Sequence, residues 1–554
     1  MKPALYLLVC ISLFSCQEQP PTGADLIVIN ADVWTGVPDA PSATAFAVQG
    51  DTLVAVGNDA YAMEWKGTAT QVVDAGGHFV TPGIIDCHTH FITGGMNLAS
   101  VQLRDAATPE EFIRRMGAFA STLEPGQWIS GGEWDHERWG GELPTRQWID
   151  SVTPQNPVFV RRLDGHMALA NSLALEQAGA THFPQVVEGG EIIRDGSGNP
   201  TGVLKDNAMT LVLKHLPPPS ADTYRKALDA AMEYVASHGV TSVHHVAGTN
   251  QEGYLEAYEE AHAGGRLKTR VYVLTPLSEW QWLQARMQEK GPGDDWLKFG
   301  GLKGFVDGSL GAHTAAFLEP YTDAPKDRGF FLNHRDSLRQ WIGHADQAGL
   351  QVAVHAIGDA AIRFLLDTYD SVARANGPRD RRFRIEHAQH ISEADIPRFG
   401  ALRVIPSMQP YHVADDGRWA TAVIGPDRSR TSYAFRSLIE NRSRLAFGSD
   451  WFVAPPIPMA GIHAAVTRQT LDGKHQEGWV PDQKITVQQA LAAYTVNAAY
   501  ASFDETRKGT LEPGKLADFV LWDANPMEVP ADQIQQIRAL QTYVGGKRVF
   551  TQED

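Results

Sequence analysis

Cysteine is nearly missing from this sequence: three in 554 residues, at Cys10, Cys16 and Cys87. So few thiols exclude a disulfide framework, and the fold must rest on buried apolar surface. Basic residues are in deficit as well, 48 Lys and Arg against 65 Asp and Glu, for a net charge of −17. That sign repels nucleic acid and anionic lipid headgroups alike. Apolar runs of bilayer length are missing too. The N-terminal ALYLLVCISLF, Ala4 to Phe14, falls short of the roughly 20 residues that a spanning helix needs. There is no repeat of fixed period, which excludes a solenoid. What is there, 43% hydrophobic and 20% charged residues, is globular, and the length predicts two or three domains.

Lys2 followed by that short apolar run has the charge order and length of a signal-peptide core. The run ends in LFSC, which resembles a bacterial lipoprotein box. On that reading residues 1–15 are the signal peptide, Cys16 is lipidated, and residues 16–24 form a flexible tether. Phe14 is bulkier than such a box usually carries, so an ordinary signal peptide cut nearby is the alternative. With Cys10 removed and Cys16 lipidated, Cys87 has no thiol partner. The expected location is outside the cytoplasm, on a lipoprotein facing the periplasm or cell surface, whose lipid is its one membrane contact.

Residues 25–80 alternate apolar and polar positions with Gly, Asn and Asp turns, and residues 508–554 repeat the style. The two ends predict one small β-sandwich. Residues 81–507 instead alternate strand-like and helix-like segments. GIIDCHTHF, GVTSVHHVAG, KTRVYVLTP, LKGFVDGS, LQVAVHAIGD, FRIEHAQH, LRVIPSMQP and SRLAFGSDWF make eight candidate strands. Eight such units close naturally into an α/β, TIM-like (β/α)8 barrel. A gap of about residues 104–234 after the first strand is too long for a loop and predicts a large insertion beside the barrel mouth.

TPGIIDCHTHF, Thr81 to Phe91, ends a strand in His88 and His90, two apart and therefore on one face. Two converging imidazoles suit a metal, and a strand end with two solvated histidines is the plain alternative. The other strand ends add Lys303, His355, His387 and Asp450. In a barrel all of these face one mouth, and the set suits Zn²⁺ or a related divalent ion.

TPGIIDCHTHF, LKGFVDGSLGAHTAAF, VAVHAIGDAAI, FRIEHAQH, LAFGSDWFVAPP and GTLEPGKLADFVLWDANP, in this order, resemble the amidohydrolase superfamily, and most of all its YtcJ-like branch with the N-substituted formamide deformylases. The resemblance implies that His88 and His90 bind the more buried metal, that His355 and His387 serve a second position, and that Asp450 binds metal and handles protons. It also implies that Lys303 takes up CO₂ and bridges two ions as a carbamate. The alternative for Lys303 is an ion pair at the rim, with one ion in the site. The implied activity is hydrolysis of an amide, formamide or cyclic amide by activated water, with the oxyanion held by metal or by an imidazole, His387 if it is not fully committed as a ligand. Isomerisation or decarboxylation on the same barrel is the runner-up, and a non-catalytic, lipid-tethered metal- or ligand-binding protein is a third reading. A small-molecule amide is the expected partner, and a homo-oligomer is compatible with all three.

Substrate contacts are expected from Trp134 and His166 in the insertion and from Asp307 and Ser309 after the fourth strand. Asp135 and His136 join Trp134 in a cluster that could cap the mouth, although such an aromatic cluster is more often packing. Asp86 is expected to face away from the histidine pair unless it bonds a ligand from behind, a supporting role and a solvated one being equally open. Cys87 reads as a small buried hydrophobe. Only one of His244 and His245 can face inward, and His390 reads as structural.

Overall fold

The computed structural model describes residues 23–246 and 252–553. Cys16, the signal peptide and most of the tether lie outside the described residues. No described helix is long and apolar enough to cross a membrane.

Eight strands form one sheet in chain order: β1 Ile84–Thr89, β2 Val240–Val246, β3 Arg270–Pro276, β4 Leu297–Phe305, β5 Gln351–Ala356, β6 Arg384–His387, β7 Ile405–Met408 and β8 Ala446–Phe447. Every neighbouring pair is parallel. A parallel bridge between Thr89 and Trp451 then joins the segment after β8 back to β1. The Asp450 N–H donates to the His88 carbonyl at 2.7 Å, and the His90 N–H to the Trp451 carbonyl at 2.6 Å. The observed fold is therefore the expected TIM-like barrel. β2, VTSVHHV, is buried at every position, as a strand covered on both faces requires.

The outer helices follow apolar periodicity. In Asp359–Asn376, Ile362, Leu365, Leu366 and Tyr369 fall on one face and are buried, and Gly377 at φ +77° ends the helix. Between β1 and β2 the chain builds a separate six-stranded sheet. Its order is Gly190–Arg194, Pro200–Asp206, Met167–Ala170, Val158–Arg162, Ile129–Trp134, Val101–Gln102. Phe112, Met116, Ile149, Val160 and Leu169 give it a core of its own. Pro217-Pro218-Pro219 precedes the return to the barrel. Ser220 caps the helix Ala221–Ala236, its Oγ accepting from the Thr223 N–H at 3.1 Å, and this helix packs on β2.

Two further sheets lie outside the barrel and the insertion: one of four strands, all from residues 24–74, and one of six that combines strands of both chain ends. Phe79–Pro82, just before β1, pairs antiparallel with Phe519–Trp522. Phe46 meets Phe519 edge-on at 4.8 Å, and Phe519 stacks on Tyr543 at 4.3 Å.

Candidate metal centre

The strand period brings His88 and His90 from β1 to the mouth of the barrel. Asp450, just beyond β8, sits at φ +60°. A non-glycine residue holds that conformation at a cost of about 1–3 kcal/mol, and its backbone bond to His88 fixes it there. One ligand atom from each of His88, His90 and Asp450 lies within 4.8 Å of the others. Asp450 Oδ1 is 3.4 Å from His88 Nε2 and 3.3 Å from His90 Nε2. It is nonetheless buried without a hydrogen-bond partner among the described residues. An orphaned carboxylate oxygen between two imidazole nitrogens fits a divalent cation, and the nitrogen–oxygen donor set suits Zn²⁺. Burial pushes the Asp450 pKa up, but His88, His90 and His387 outweigh it and hold the carboxyl well below its usual range. Burial, aided by Lys303, pushes His88 down to about 4, so its ring is in the neutral, ligating form near pH 7.

His88 is oriented from behind. Its Nδ1 hydrogen-bonds Glu386 Oε2, which leaves Nε2 for the site, and both side chains are fully buried. Arg384 grips the same carboxylate, Nε to Oε1 at 2.7 Å and Nη2 to Oε2 at 3.0 Å. Burial alone would raise the Glu386 pKa, but Arg384 and His88 reverse it and keep the group ionised.

Lys303, on β4, is buried with Nζ 3.2 Å from His88 Nε2. No carboxylate lies within ion-pair distance of it among the described residues, so the rim ion pair is not formed. Burial pushes its pKa down to about 8, which leaves a sizeable share of free amine near neutrality.

His355 and His387 adjoin the trio. Their ring centroids are 4.5 Å apart, and His387 lies 4.8 Å from His88. His387 ends β6 at φ +73°. Its Nδ1 donates to Gln409 Oε1 at 2.8 Å, while burial keeps the ring neutral. Nε2 is then without a proton, so His387 can hold a cation but cannot donate to an oxyanion. His355 Nε2 donates to the Gly308 carbonyl at 3.0 Å, and its Nδ1 is the unprotonated nitrogen.

A cavity of about 440 Å³ opens over the trio. His90, Lys303, His355, His387 and Asp450 line it from the barrel, and Phe159, Arg161 and His166 from the insertion. His166 faces this cavity, with Nδ1 2.5 Å from Asp206 Oδ1. Burial opposes charge on its ring, but Asp206 and Asp164 outweigh it and raise the pKa. Ser309 lines a small adjoining pocket and donates to Asp164 Oδ2 at 2.5 Å.

Two expected substrate contacts lie elsewhere. Trp134 is fully buried in the insertion core, its indole N–H satisfied by the Val160 carbonyl at 2.9 Å. Asp307 is a backbone clamp, accepting from the N–H groups of Ala316, Ile357 and Gly358 at 2.8, 3.0 and 2.9 Å. Asp135 ties the insertion to the barrel through Arg418 Nη2 at 2.9 Å, and His136 accepts from Arg162 Nε at 3.2 Å.

Asp86 does not face away from the histidines. It shares their parity, accepts from the His88 N–H at 3.2 Å and from the Ser449 N–H at 2.9 Å, and so joins β1 to the segment after β8. Cys87 is buried beside Ser407, and burial pushes its thiol up to about 12. His244 meets Arg384 Nη1 at 3.1 Å inside the barrel, whereas His245 turns to the cavity and accepts from the Phe91 N–H at 3.2 Å. His390 binds Ser432 Oγ at 2.8 Å. The sequence reading missed Glu386, Arg384 and Gln409. Two charges spaced two apart in the buried strand RIEH were the available signal for the first pair.

A family profile described as Amidohydrolase family matches residues 71–550. The chain is 40% identical over 548 residues to Protein LONG AFTER FAR-RED 3 of Arabidopsis thaliana, covering 96% of this chain and 93% of that one. It is 28% identical over 550 residues to N-substituted formamide deformylase of Arthrobacter pascens, covering 94% and 97%. The crystal structure of an uncharacterized metal-dependent hydrolase from Pyrococcus horikoshii superposes with a TM-score of 0.74 at 27% identity, over 92% of this chain and 99% of that one.

Proposed function

We propose that this chain, which belongs to the amidohydrolase family of metal-dependent hydrolases, cleaves carbon–nitrogen bonds in small non-peptide amides, formamides or cyclic amides. The observation that carries this reading is the trio His88, His90 and Asp450, with its orphaned carboxylate oxygen at the floor of a cavity. The deformylase activity for which the Arthrobacter pascens relative is named supports the choice of bond.

His88, His90 and Asp450 hold a divalent ion, Zn²⁺ by their chemistry, and the bare nitrogens of His387 and His355 are available to a second. Lys303, carboxylated on its free amine, would add oxygen donors to this set. When bound, the metal supplies Lewis acidity, which brings water's pKa toward neutrality and polarises a carbonyl.

The chain's own residues do the rest. Asp450 orients the attacking water, accepts its proton on a carboxylate oxygen and passes that proton to the leaving nitrogen. His166, whose protonated form Asp206 favours and which faces the cavity, donates to the carbonyl oxygen as negative charge develops there. Glu386 keeps His88 in one tautomer throughout. On this reading the enzyme works outside the cytoplasm, tethered by lipid on Cys16.

The test combines elemental analysis with a panel of N-formyl and N-acyl amines, following amine and carboxylate release. His88→Ala is expected to lose the metal. Asp450→Asn is expected to retain most of it and lose turnover. An Asp450→Asn protein that turns over at the parent rate removes Asp450 as the proton carrier.

A further inference from the structure

The insertion's share of the cavity wall carries a cation that holds nothing among the described residues. Arg161 lies on the insertion strand Val158–Arg162, whose alternation splits its side chains between two faces. Val160 enters the insertion core and Arg162 pairs with Asp164 at 2.6 Å. Phe159 and Arg161, on the opposite face, line the cavity. Arg161 is half-buried, and its guanidinium makes no hydrogen bond or ion pair among the described residues.

The other charges on this wall are committed. Glu133 accepts from Asn97 Nδ2 at 2.5 Å, and Arg104 is its cationic neighbour. Asp164 is held by Arg162 and Ser309. Lys303 and Asp450 face His88. Burial lowers the Arg161 pKa with no carboxylate nearby to offset it. A desolvated guanidinium of this kind is costly until an anion arrives, and its planar fork matches a carboxylate with two parallel hydrogen bonds. Beside it lie Leu213, Leu216 and Pro217–Pro219, an apolar surface that a hydrocarbon side chain would cover. A single guanidinium with both edges of its fork unclaimed fits a single carboxylate.

We propose that the substrate is an N-acylated or N-formylated amino acid, its carboxylate seated on Arg161, its side chain against Leu213, Leu216 and Pro217–Pro219, and its amide at the Asp450 end of the same cavity. The inference rests on the hydrolase reading above for the position of the amide. It does not rest on that reading for the carboxylate.

Two probes of one skeleton separate the two, N-formyl-DL-phenylalanine and the neutral N-(2-phenylethyl)formamide. Binding is measured by calorimetry on metal-loaded Asp450→Asn protein, where turnover is blocked, and hydrolysis is measured on the parent protein. The carboxylate probe is expected to bind on the order of 10–100-fold more tightly than the neutral one. Arg161→Met brings the ratio close to one, and Arg161→Lys restores part of it. Equal binding of the two probes, binding of neither, or a preference that survives Arg161→Met overturns the proposal. An Arg161-dependent preference with no hydrolysis of either probe upholds the carboxylate site and sinks the hydrolase reading. Hydrolysis of the neutral formamide without preference does the reverse.

Discussion

Glu386 Oε2 binds His88 Nδ1 where both side chains are wholly shut off from solvent, and Arg384 grips the same carboxylate with two of its nitrogens. His88 is thus fixed in ring orientation and tautomer by residues almost 300 positions away in the chain. Glu386→Gln keeps the shape and removes the charge. It is expected to weaken metal retention by ~10–100-fold, as loss of such a partner typically does, while the protein stays folded. Competition with a graded chelator series, read by residual metal, measures this. Unchanged retention would show that Glu386 serves only to satisfy Arg384.

Lys303 gives a second expectation. Its amine is buried, unpaired by any described carboxylate, and pushed down to about 8, so CO₂ finds free amine there near neutral pH. Lys303→Ala is expected to lower the bound metal by one equivalent per chain and to cut turnover at least ~100-fold. Metal content by mass spectrometry and the carbamate ¹³C resonance after labelling with ¹³C-bicarbonate report the two halves independently. A parent protein with one equivalent and no carbamate signal would assign Lys303 to orienting His88 alone.

What the sequence made legible follows from the physics of the barrel. Strand-and-helix alternation fixes which ends of remote segments share a mouth, so His88, His90, Lys303, His355, His387 and Asp450 could be gathered before any coordinates. Other features depend on contacts that no local pattern records. The donor state of His387 is set by Gln409, a residue on the next turn of chain after β7, and by a backbone at φ +73°. Trp134 and Arg161 lie on neighbouring strands of the insertion sheet. One indole finds a carbonyl inside the core, and one guanidinium is left facing the cavity, which is decided by strand parity within a sheet whose order is not in the sequence. Asp307 looked like a substrate contact because it follows Lys303, but three backbone N–H groups claim it first.

Acid should destabilise the protein through histidines buried without charge. His390 Nδ1 binds Ser432 Oγ, its Nε2 is buried with no partner among the described residues, and burial, with Arg428 nearby, pushes its pKa down to about 3. In the unfolded chain that pKa is about 6.5. Between the two values the unfolded state binds the extra proton, so His390 has no effect on stability above pH ~6.5 and costs stability progressively below it, by ~1.4 kcal/mol per pH unit. His390→Gln removes the titrating group and keeps a partner for Ser432. Urea unfolding at pH 7.5, 6 and 5 in one metal buffer is expected to show the parent losing stability faster than the variant. Parallel pH profiles would mean that Nε2 finds a water or other acceptor when protonated.

Barrel closure beside the metal site depends on one small residue. A Cβ on Gly448 would lie 2.5 Å from the His88 backbone nitrogen and 2.7 Å from Asp86 Oδ1, closer than any real contact. Gly448 donates its N–H to the Met408 carbonyl at 3.1 Å, while Asp86 accepts from His88 and Ser449 on either side of the seam. None of these groups can retreat without breaking a buried hydrogen bond, so a methyl here must push the segment carrying Asp450 away from β1. Gly448→Ala is expected to lower stability by about 1–3 kcal/mol and to weaken metal binding, although it alters no ligand. Gly196→Ala is the matched control, because a Cβ there meets nothing within 4 Å. Thermal unfolding and chelator competition on both variants separate the effects. A Gly448→Ala protein that keeps parental metal affinity would show that the seam can open without moving Asp450, and the link drawn here between closure and ligand geometry would fail.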